Sequence, residues 1–308
     1  MKILVPVDGS AFSDAALAFV AARPFETGFA PHIDLLNVQL PVPPRAGRAV
    51  GADIVRAWHQ AESSKVLKPA IAKLQEADLE PAWYYVVSNP GLRIAEWAER
   101  HAIDLIVMGS HGHTALKGLL FGSVTQSVLA STDVPALVVR TAKAPRRASL
   151  RVGLALDGSA YGEAAARYVI EHRNLFGARA TFTLIHVHTP SLLGPSSSDR
   201  PGVSLPTAAE LAQAETEAFE LALAPVREQF AQAGLVASER RIVGGPGEEI
   251  ARFARTASLD VLVMGSHGHG ALKAALLGSV ACQVAAKCNT PLLLIRQHHP
   301  RRSVADRS

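Results

Sequence analysis

Residues 107–112 of this chain read VMGSHG, and the same six residues return at 263–268. In each copy nine residues separate the last glycine from a Gly-Ser pair, which stands at 122–123 and again at 278–279. Each copy also closes a short apolar run, as is typical of a buried parallel strand that meets its loop. The repeat therefore predicts two related domains, each built on a parallel sheet.

Glycine lets a ligand come close to bare backbone, and consecutive N–H groups beside a helix N-terminus form a cradle for an anion. One reading of the motif is a phosphate-binding loop, and the other is two tight turns that simply need glycine. The second copy, with the same spacing and the same serine, favours the phosphate-binding loop. The residues expected to hold the phosphates are Gly112, Gly122 and Ser123 in the first half, and Gly268, Gly278 and Ser279 in the second.

Composition is that of an ordinary globular protein, since 48% of the 308 residues are hydrophobic and the net charge is only +4. The basic residues near 146–151 and 301–302 have no aromatic residues among them, so a nucleic-acid partner is not expected. No apolar run reaches membrane-spanning length. Cys282 and Cys288 offer neither a disulfide framework nor a metal site, which fits a reducing compartment, and the cytoplasm is the expected location.

Strands alternate with helices in both halves, and the strands are nearly continuous apolar runs, which indicates a parallel sheet covered on both faces. Pro6 does not fit the prediction of a central first strand, because proline has no backbone N–H to donate to a neighbouring strand. Residues 41–48 are too rich in proline and glycine to predict regular structure. The predicted organisation is domain 1 at 1–140, a linker at 141–150, domain 2 at 151–297 and a flexible tail at 298–308. The expected first-half strands lie near 2–7, 33–38, 81–87, 104–108 and 136–140, with helices near 11–22, 53–77, 92–101 and 123–130.

Two strands of such a sheet should end at the same crevice, because doubly wound sheets bind ligands where the winding direction reverses. If the first and fourth strands are neighbours, Asp8 faces the glycine loop. Its carboxylate suits a ribose or a base amino group, although an Asx turn or a helix cap explains an aspartate there equally well. Asp157 repeats the position in the second half.

Other nucleotide and catalytic motifs are absent from the sequence: it has no P-loop, no dinucleotide fingerprint and no nucleophile elbow. His111 and His113, repeated as His267 and His269, are more typical of hydrogen-bonding loop residues than of metal ligands. Lys117 and Lys273 lie over the phosphates or are solvated, and the sequence does not separate the two possibilities. No residue is placed as a general base for hydrolysis, so any turnover should be slow.

These motifs resemble the ATP-binding signature of the universal stress protein family, and the resemblance extends over nearly the whole chain. It implies two α/β, doubly wound, Rossmann-like domains, each a five-stranded parallel sheet in the order 3-2-1-4-5 with four helices. It also implies adenine near Asp8, Val38 and Met108, and ribose near Gly109. The second-half counterparts are Asp157, Val187, Met264 and Gly265. Mg²⁺ or Mn²⁺ on the phosphates and pairing through the last strands are further implications. One departure is Ala155, which stands where the first half has Pro6.

The function that follows is an ATP- or other adenine-nucleotide-binding protein of stress response or signalling. A slow ATPase or nucleotidyl-transfer enzyme, or a scaffold with vestigial sites, remains the alternative. The two final strands are predicted to meet antiparallel as an intrachain pseudo-dimer, and a homodimer is a further possibility. The loops after the second strands, residues 41–51 and 190–206, should border the crevices, and an unknown regulatory protein partner is expected to recognise the first.

Overall fold

The computed structural model describes residues 1–23, 31–112, 120–141, 147–189, 207–266 and 277–296. In the first half the elements are β1 (Lys2–Pro6), α1 (Ala11–Ala21), β2 (His32–Gln39), α2 (Pro44–Val50), α3 (Ala52–Gln75), β3 (Ala82–Val87), α4 (Pro90–Arg100), β4 (Leu105–Gly109), α5 (Ser123–Ser131) and β5 (Ala136–Val139). In the second half they are β6 (Arg151–Ala155), α6 (Ala160–Glu171), a 3₁₀ turn (Arg173–Phe176), β7 (Thr181–His188), α7 (Ala208–Gln232), β8 (Ala237–Val243), α8 (Pro246–Thr256), β9 (Val261–Gly265), α9 (Ser279–Lys287) and β10 (Leu292–Ile295).

All ten strands form one sheet, in the order β3-β2-β1-β4-β5-β10-β9-β6-β7-β8. Pairing is parallel inside each half, and each half shows the 3-2-1-4-5 order that the family resemblance implies. β5 and β10 meet antiparallel, with Leu137 opposite Leu293. The predicted meeting of the final strands is thus confirmed, and the edges of the joint sheet are β3 and β8.

Both faces of the sheet are covered, as predicted for strands that are apolar throughout. One core cluster includes residues of α1, α3, α6 and α7, and the other includes residues of α4, α5, α8 and α9. Each cluster contains residues from both halves, so the hydrophobic core is continuous across the β5–β10 junction.

Two arginines at the ends of the junction strands reach into the opposite half. Arg140 donates from Nε to the Cys288 carbonyl (3.0 Å), from Nη2 to the Ala285 carbonyl and from Nη1 to the Leu120 carbonyl (3.2 Å). Arg296, at the matching position, donates to the Thr132 carbonyl at 3.1 Å. The last carbonyls of a helix lack intrahelical partners, so each arginine caps a helix C-terminus of the other half.

Residues 41–43 are irregular, as predicted. The prediction of irregular structure is wrong for residues 44–48, because α2 begins at Pro44. Proline is well suited to the first helical turn, where its missing N–H is not needed, and Gly51 ends the helix with a φ of 93°. None of the residues of α2 is buried. The first half therefore has five helices within the described residues, one more than the family resemblance implies.

Pro6 shortens the pairing between the first and fourth strands of its half. β1 pairs with β4 through Ile3 and Leu4, whereas β6 pairs with β9 as far as Ala155. Proline has no amide hydrogen for a ladder, and Pro6 lies beyond the last pair. The strands of the first half thus part earlier at the edge where the glycine loop begins.

Serine and threonine side chains cap the N-termini of three helices. Ser10 accepts from the Ser13 amide and Ser159 from the Gly162 amide, while Thr207 forms a capping box with Glu210. Among the helices that the structure describes, none combines the length and apolar character needed to cross a membrane.

Candidate functional site

A cavity of about 590 Å³ opens at the carboxyl ends of β1, β2 and β4 and is called the first cavity below. Its wall contains every residue proposed for the first-half site: Asp8, Val38, Met108, Gly109, Gly112, Gly122 and Ser123. The strand order explains why they converge, because β1 lies between β2 and β4. The volume is within the range of small-molecule sites.

Asp8 uses its two carboxylate oxygens differently. Oδ1 accepts the Ser10 amide at 2.9 Å, which is the Asx turn considered above, and Ser10 itself caps α1. Oδ2 lies against Gly112, so close that a Cβ on this glycine would be 2.7 Å from it. The turn and the cavity role therefore coexist, and the carboxylate stands beside the glycine loop.

Gly109 and Gly122 both lie in close backbone packing. A Cβ on Gly109 would lie 2.6 Å from Phe12 Cβ, so β4 touches α1 directly at this point. The Gly122 amide donates to the Ser110 carbonyl at 2.7 Å, and a Cβ on Gly122 would lie 3.3 Å from His111 Cα. This bond joins Ser110, at the start of the glycine loop, to Gly122, at its end.

The N-terminus of α5 faces the first cavity. Its N-cap, Gly122, has no side chain to accept the first amides, and Ser123 follows in the cavity wall. Thr125 holds the helix to the strand end, because its hydroxyl donates to the Gly109 carbonyl at 2.9 Å. Uncapped amides at a fixed helix N-terminus are suited to an anion such as phosphate.

A polar network supports the wall of the first cavity that is formed by β2 and α3. The sequence analysis did not predict this network. Asn37, on β2, donates from Nδ2 to the Val7 carbonyl at 2.8 Å and accepts the Ser63 hydroxyl at 2.9 Å. Gln39 contacts Asn37 Oδ1 and also holds His59 of α3 through both its amide atoms. An asparagine within the apolar run of β2 was the available signal, because buried polar side chains need partners.

The second half has a cavity of about 470 Å³, called the second cavity, whose wall includes Asp157 and Val187. The Asp157 carboxylate accepts the Ser159 amide at 3.0 Å, as Asp8 does for Ser10. The Gly278 amide closes onto the Ser266 carbonyl at 2.7 Å, which matches Gly122 and Ser110. Met264 is buried, Gly265 ends β9 and Ser279 begins α9.

Some of the proposed loop residues lie outside the described residues: His113, Lys117, His267, Gly268, His269 and Lys273. His111 is described, and its Nδ1 lies 3.0 Å from the Ser110 hydroxyl. That contact fits the interpretation of His111 as a hydrogen-bonding loop residue.

His186 replaces Asn37 in the second half and makes the corresponding bond. Its Nδ1 donates to the Leu156 carbonyl at 2.8 Å, and its ring packs edge-on against Phe219 at 5.3 Å. Burial lowers the pKa of His186; the Leu156 bond and Asp157 oppose this, and His188 adds to it. Both cavities thus have a side chain bonded to the end of the first strand of their half, but in the second cavity that side chain is titratable.

His186→Asn is expected to make the fold less sensitive to acid. A histidine whose pKa is lowered by folding destabilises the native state as pH falls below its unfolded value of about 6.5, and asparagine keeps the bond without titrating. Denaturant unfolding at about pH 7 and about pH 5 should show a smaller loss in the variant. The loss should not vanish, because burial also lowers the pKa of His172, and an unchanged loss would contradict the assignment.

The described residues contain no group of three His, Cys, Asp or Glu side chains arranged to hold a metal ion. A divalent cation at this site would therefore need oxygen ligands from a bound phosphate. Asp8 Oδ2, beside Gly112, is one carboxylate oxygen in the right place, and Mg²⁺ commonly binds through one or two carboxylates plus substrate phosphates.

Comparisons with known proteins agree with this architecture. The sequence model of the universal stress protein family matches residues 1–140 and 149–296. A universal stress protein of Mycolicibacterium smegmatis is 30% identical over 96% of both chains, and universal stress protein Rv2005c of Mycobacterium tuberculosis is 27% identical over 96% of this chain and 97% of its own. The crystal structure of a universal stress protein from Archaeoglobus fulgidus covers 96% of this chain with a TM-score of 0.68; at 20% identity it supports the fold.

Proposed function

Because this chain belongs to the universal stress protein family, we propose that its first cavity binds an adenine nucleotide, with ATP as the leading candidate. The phosphates would contact the amides around Gly112 and Gly122 and the Ser123 hydroxyl. The base would lie toward Val38 and Met108. Nucleotide occupancy would then govern an interaction with a regulatory partner in a stress or signalling response.

One observation carries this proposal, namely that the first cavity combines an anion-binding end and an apolar end. The anion-binding end is the uncapped N-terminus of α5 with the glycine loop. The apolar end is formed by side chains of β2 and β4, including Leu36, Val38 and Met108. A nucleotide has both chemistries, whereas free phosphate or an apolar metabolite has only one.

A bound Mg²⁺ or Mn²⁺ would neutralise phosphate charge beside Asp8. Asp8 Oδ2 lies beside Gly112 of the glycine loop, so it is the oxygen that would approach the cation. In this role Asp8 binds and orients the ligand, and it moves no proton.

Calorimetric titration of the purified protein with ATP, AMP and cyclic AMP, with and without Mg²⁺, tests the proposal. We expect saturable binding of at least one of these nucleotides and tighter ATP binding when Mg²⁺ is present. Asp8→Asn should reduce that Mg²⁺ dependence while keeping the Ser10 turn, since an amide oxygen also accepts. Failure of all three nucleotides to bind would overturn the proposal.

The enzymatic alternative uses the same cavity and differs only in turnover. A steady-state assay for phosphate or pyrophosphate release separates the two readings, because a binding protein releases neither at an appreciable rate.

As for assembly, β5 and β10 already pair with each other. A homodimer would therefore have to use surfaces other than the final strands.

A further inference from the structure

We infer that Trp58 and Leu40 form a stacking wall for the base, and that this wall makes the first cavity selective for purine nucleotides. The inference rests on the proposed function, since it assumes a nucleotide in the first cavity. It concerns a residue on α3, away from the glycine motif.

Trp58 and Leu40 line the first cavity although both are well exposed, at 50% and 66%. Single exposed apolar residues are common, but here two large ones border one cavity that already has an anion-binding end. Below Trp58 on the same helical face, Glu62 and Val66 continue the cavity wall at four-residue spacing. The exposed faces of Trp58 and Leu40 are therefore available to a ring that enters the cavity.

Trp58 is held at the cavity by the residue that follows it. His59 is buried; its Nδ1 lies 2.6 Å from Gln39 Oε1, and its carbonyl accepts Gln39 Nε2 at 2.9 Å. Two bonds from one amide thus tie α3 to the end of β2, immediately before Leu40. The Trp58 ring packs edge-on against the His59 ring at 4.8 Å. Such support reduces the ordering cost of a stacking contact.

The position of the wall relative to the phosphate end fits a nucleotide. The glycine loop follows β4, and Leu40 follows β2, with β1 between them. Neighbouring strands are about 4.8 Å apart, so the two ends of the cavity are separated by roughly 10 Å. A nucleoside phosphate anchored at α5 would therefore place its base against Leu40 and Trp58.

The second half provides an internal control, because it lacks the wall. At the sequence offsets that align the halves, Ala214 corresponds to Trp58 and Thr189 to Leu40. The correspondence is supported by the cavity walls, where Ala218 and Ala222 take the places of Glu62 and Val66. His188 and Glu215 replace the Gln39–His59 pair. Stacking on a tryptophan is accordingly expected in the first cavity and not in the second.

Trp58→Ala tests the inference by calorimetry and tryptophan fluorescence with ATP, CTP and inorganic triphosphate. Base–aromatic stacking removed by alanine should weaken ATP binding at the first cavity about tenfold or more. CTP, with its smaller ring, should lose less, and triphosphate should lose nothing. Trp58→Phe should retain most of the ATP affinity. ATP should quench the fluorescence of the wild type and of Trp83→Ala, a control on exposed β3, but not that of Trp58→Ala.

The outcomes distinguish a failure of the stacking wall from a failure of the proposed function. If neither ATP, AMP nor cyclic AMP binds the wild type, the proposed function fails. If ATP binds and Trp58→Ala retains both its affinity and its quenching, the proposed function stands and the stacking wall is wrong. Equal losses for ATP and inorganic triphosphate would also overturn it, because they would show a general disturbance of α3.

Discussion

Gly122→Val is expected to weaken nucleotide binding in the first cavity by about a hundredfold or more. A side chain on Gly122 meets the glycine loop itself, since even a Cβ would lie 3.3 Å from His111 Cα. Valine would force the loop from the N-terminus of α5 and break the bond to the Ser110 carbonyl. The phosphates would then lose hydrogen bonds from the amides of the glycine loop and of α5. Losing two such charge-assisted bonds, at roughly 1.5–3 kcal/mol each, accounts for the size of the effect.

The measurement is a calorimetric ATP titration, with Gly245→Val as the matched control. Gly245 is likewise the N-cap of a helix, α8, but nothing lies within 4 Å of a Cβ placed there. The control should bind ATP like the wild type. Gly278→Val is the mirror experiment in the second half, because Gly278 makes the equivalent bond to Ser266. Unchanged stoichiometry and affinity in a Gly122→Val/Gly278→Val double variant would show that the loops do not hold the ligand.

Arg140→Ala is expected to lower the free energy of unfolding by roughly 3 kcal/mol. Three carbonyls lose their donor, two of them at the C-terminus of α9 in the other half. A part-buried polar group without a partner costs about 1–3 kcal/mol, and solvent will satisfy some of the three. Arg140→Lys should not restore the loss, since an ammonium lacks the planar fork that reaches several carbonyls.

Urea unfolding measures this effect, and Arg179→Ala is a suitable control because Arg179 is an exposed residue outside the junction. The control should change stability by less than about 0.5 kcal/mol. A similarly small change in Arg140→Ala would mean that the arginines at the ends of β5 and β10 do not stabilise the junction.

Much of the fold was predictable because it depends on local patterns. Apolar runs that end in glycine identified β4 and β9, and the Thr207 capping box marked the start of α7. The wrong prediction at residues 41–48 came from treating Pro44 as a helix breaker, although at the start of a helix it is favourable.

The site was predictable where it follows a strand and not where it depends on helix docking. Asp8 and Gly112 come directly after β1 and β4, so strand order alone brings them together. Trp58 reaches the cavity because of the way α3 packs on β2, where Gln39 bonds to His59, and no short motif encodes that contact. Gly109 was predicted only as part of the nucleotide-binding motif. The structure shows that it also packs closely against Phe12, which the motif does not indicate.

The union of β5 with β10 inside a single polypeptide has a consequence for how the two cavities can change over evolutionary time. In an assembly of identical subunits every substitution is present twice, and the interface forms only above a concentration set by mass action. Here a tether of about ten residues keeps both final strands at a high effective concentration, so dilution does not separate them. A substitution at Trp58, whose counterpart in the second half is Ala214, alters one cavity and leaves its neighbour intact. One cavity is thereby free to acquire a different ligand while the other retains its own.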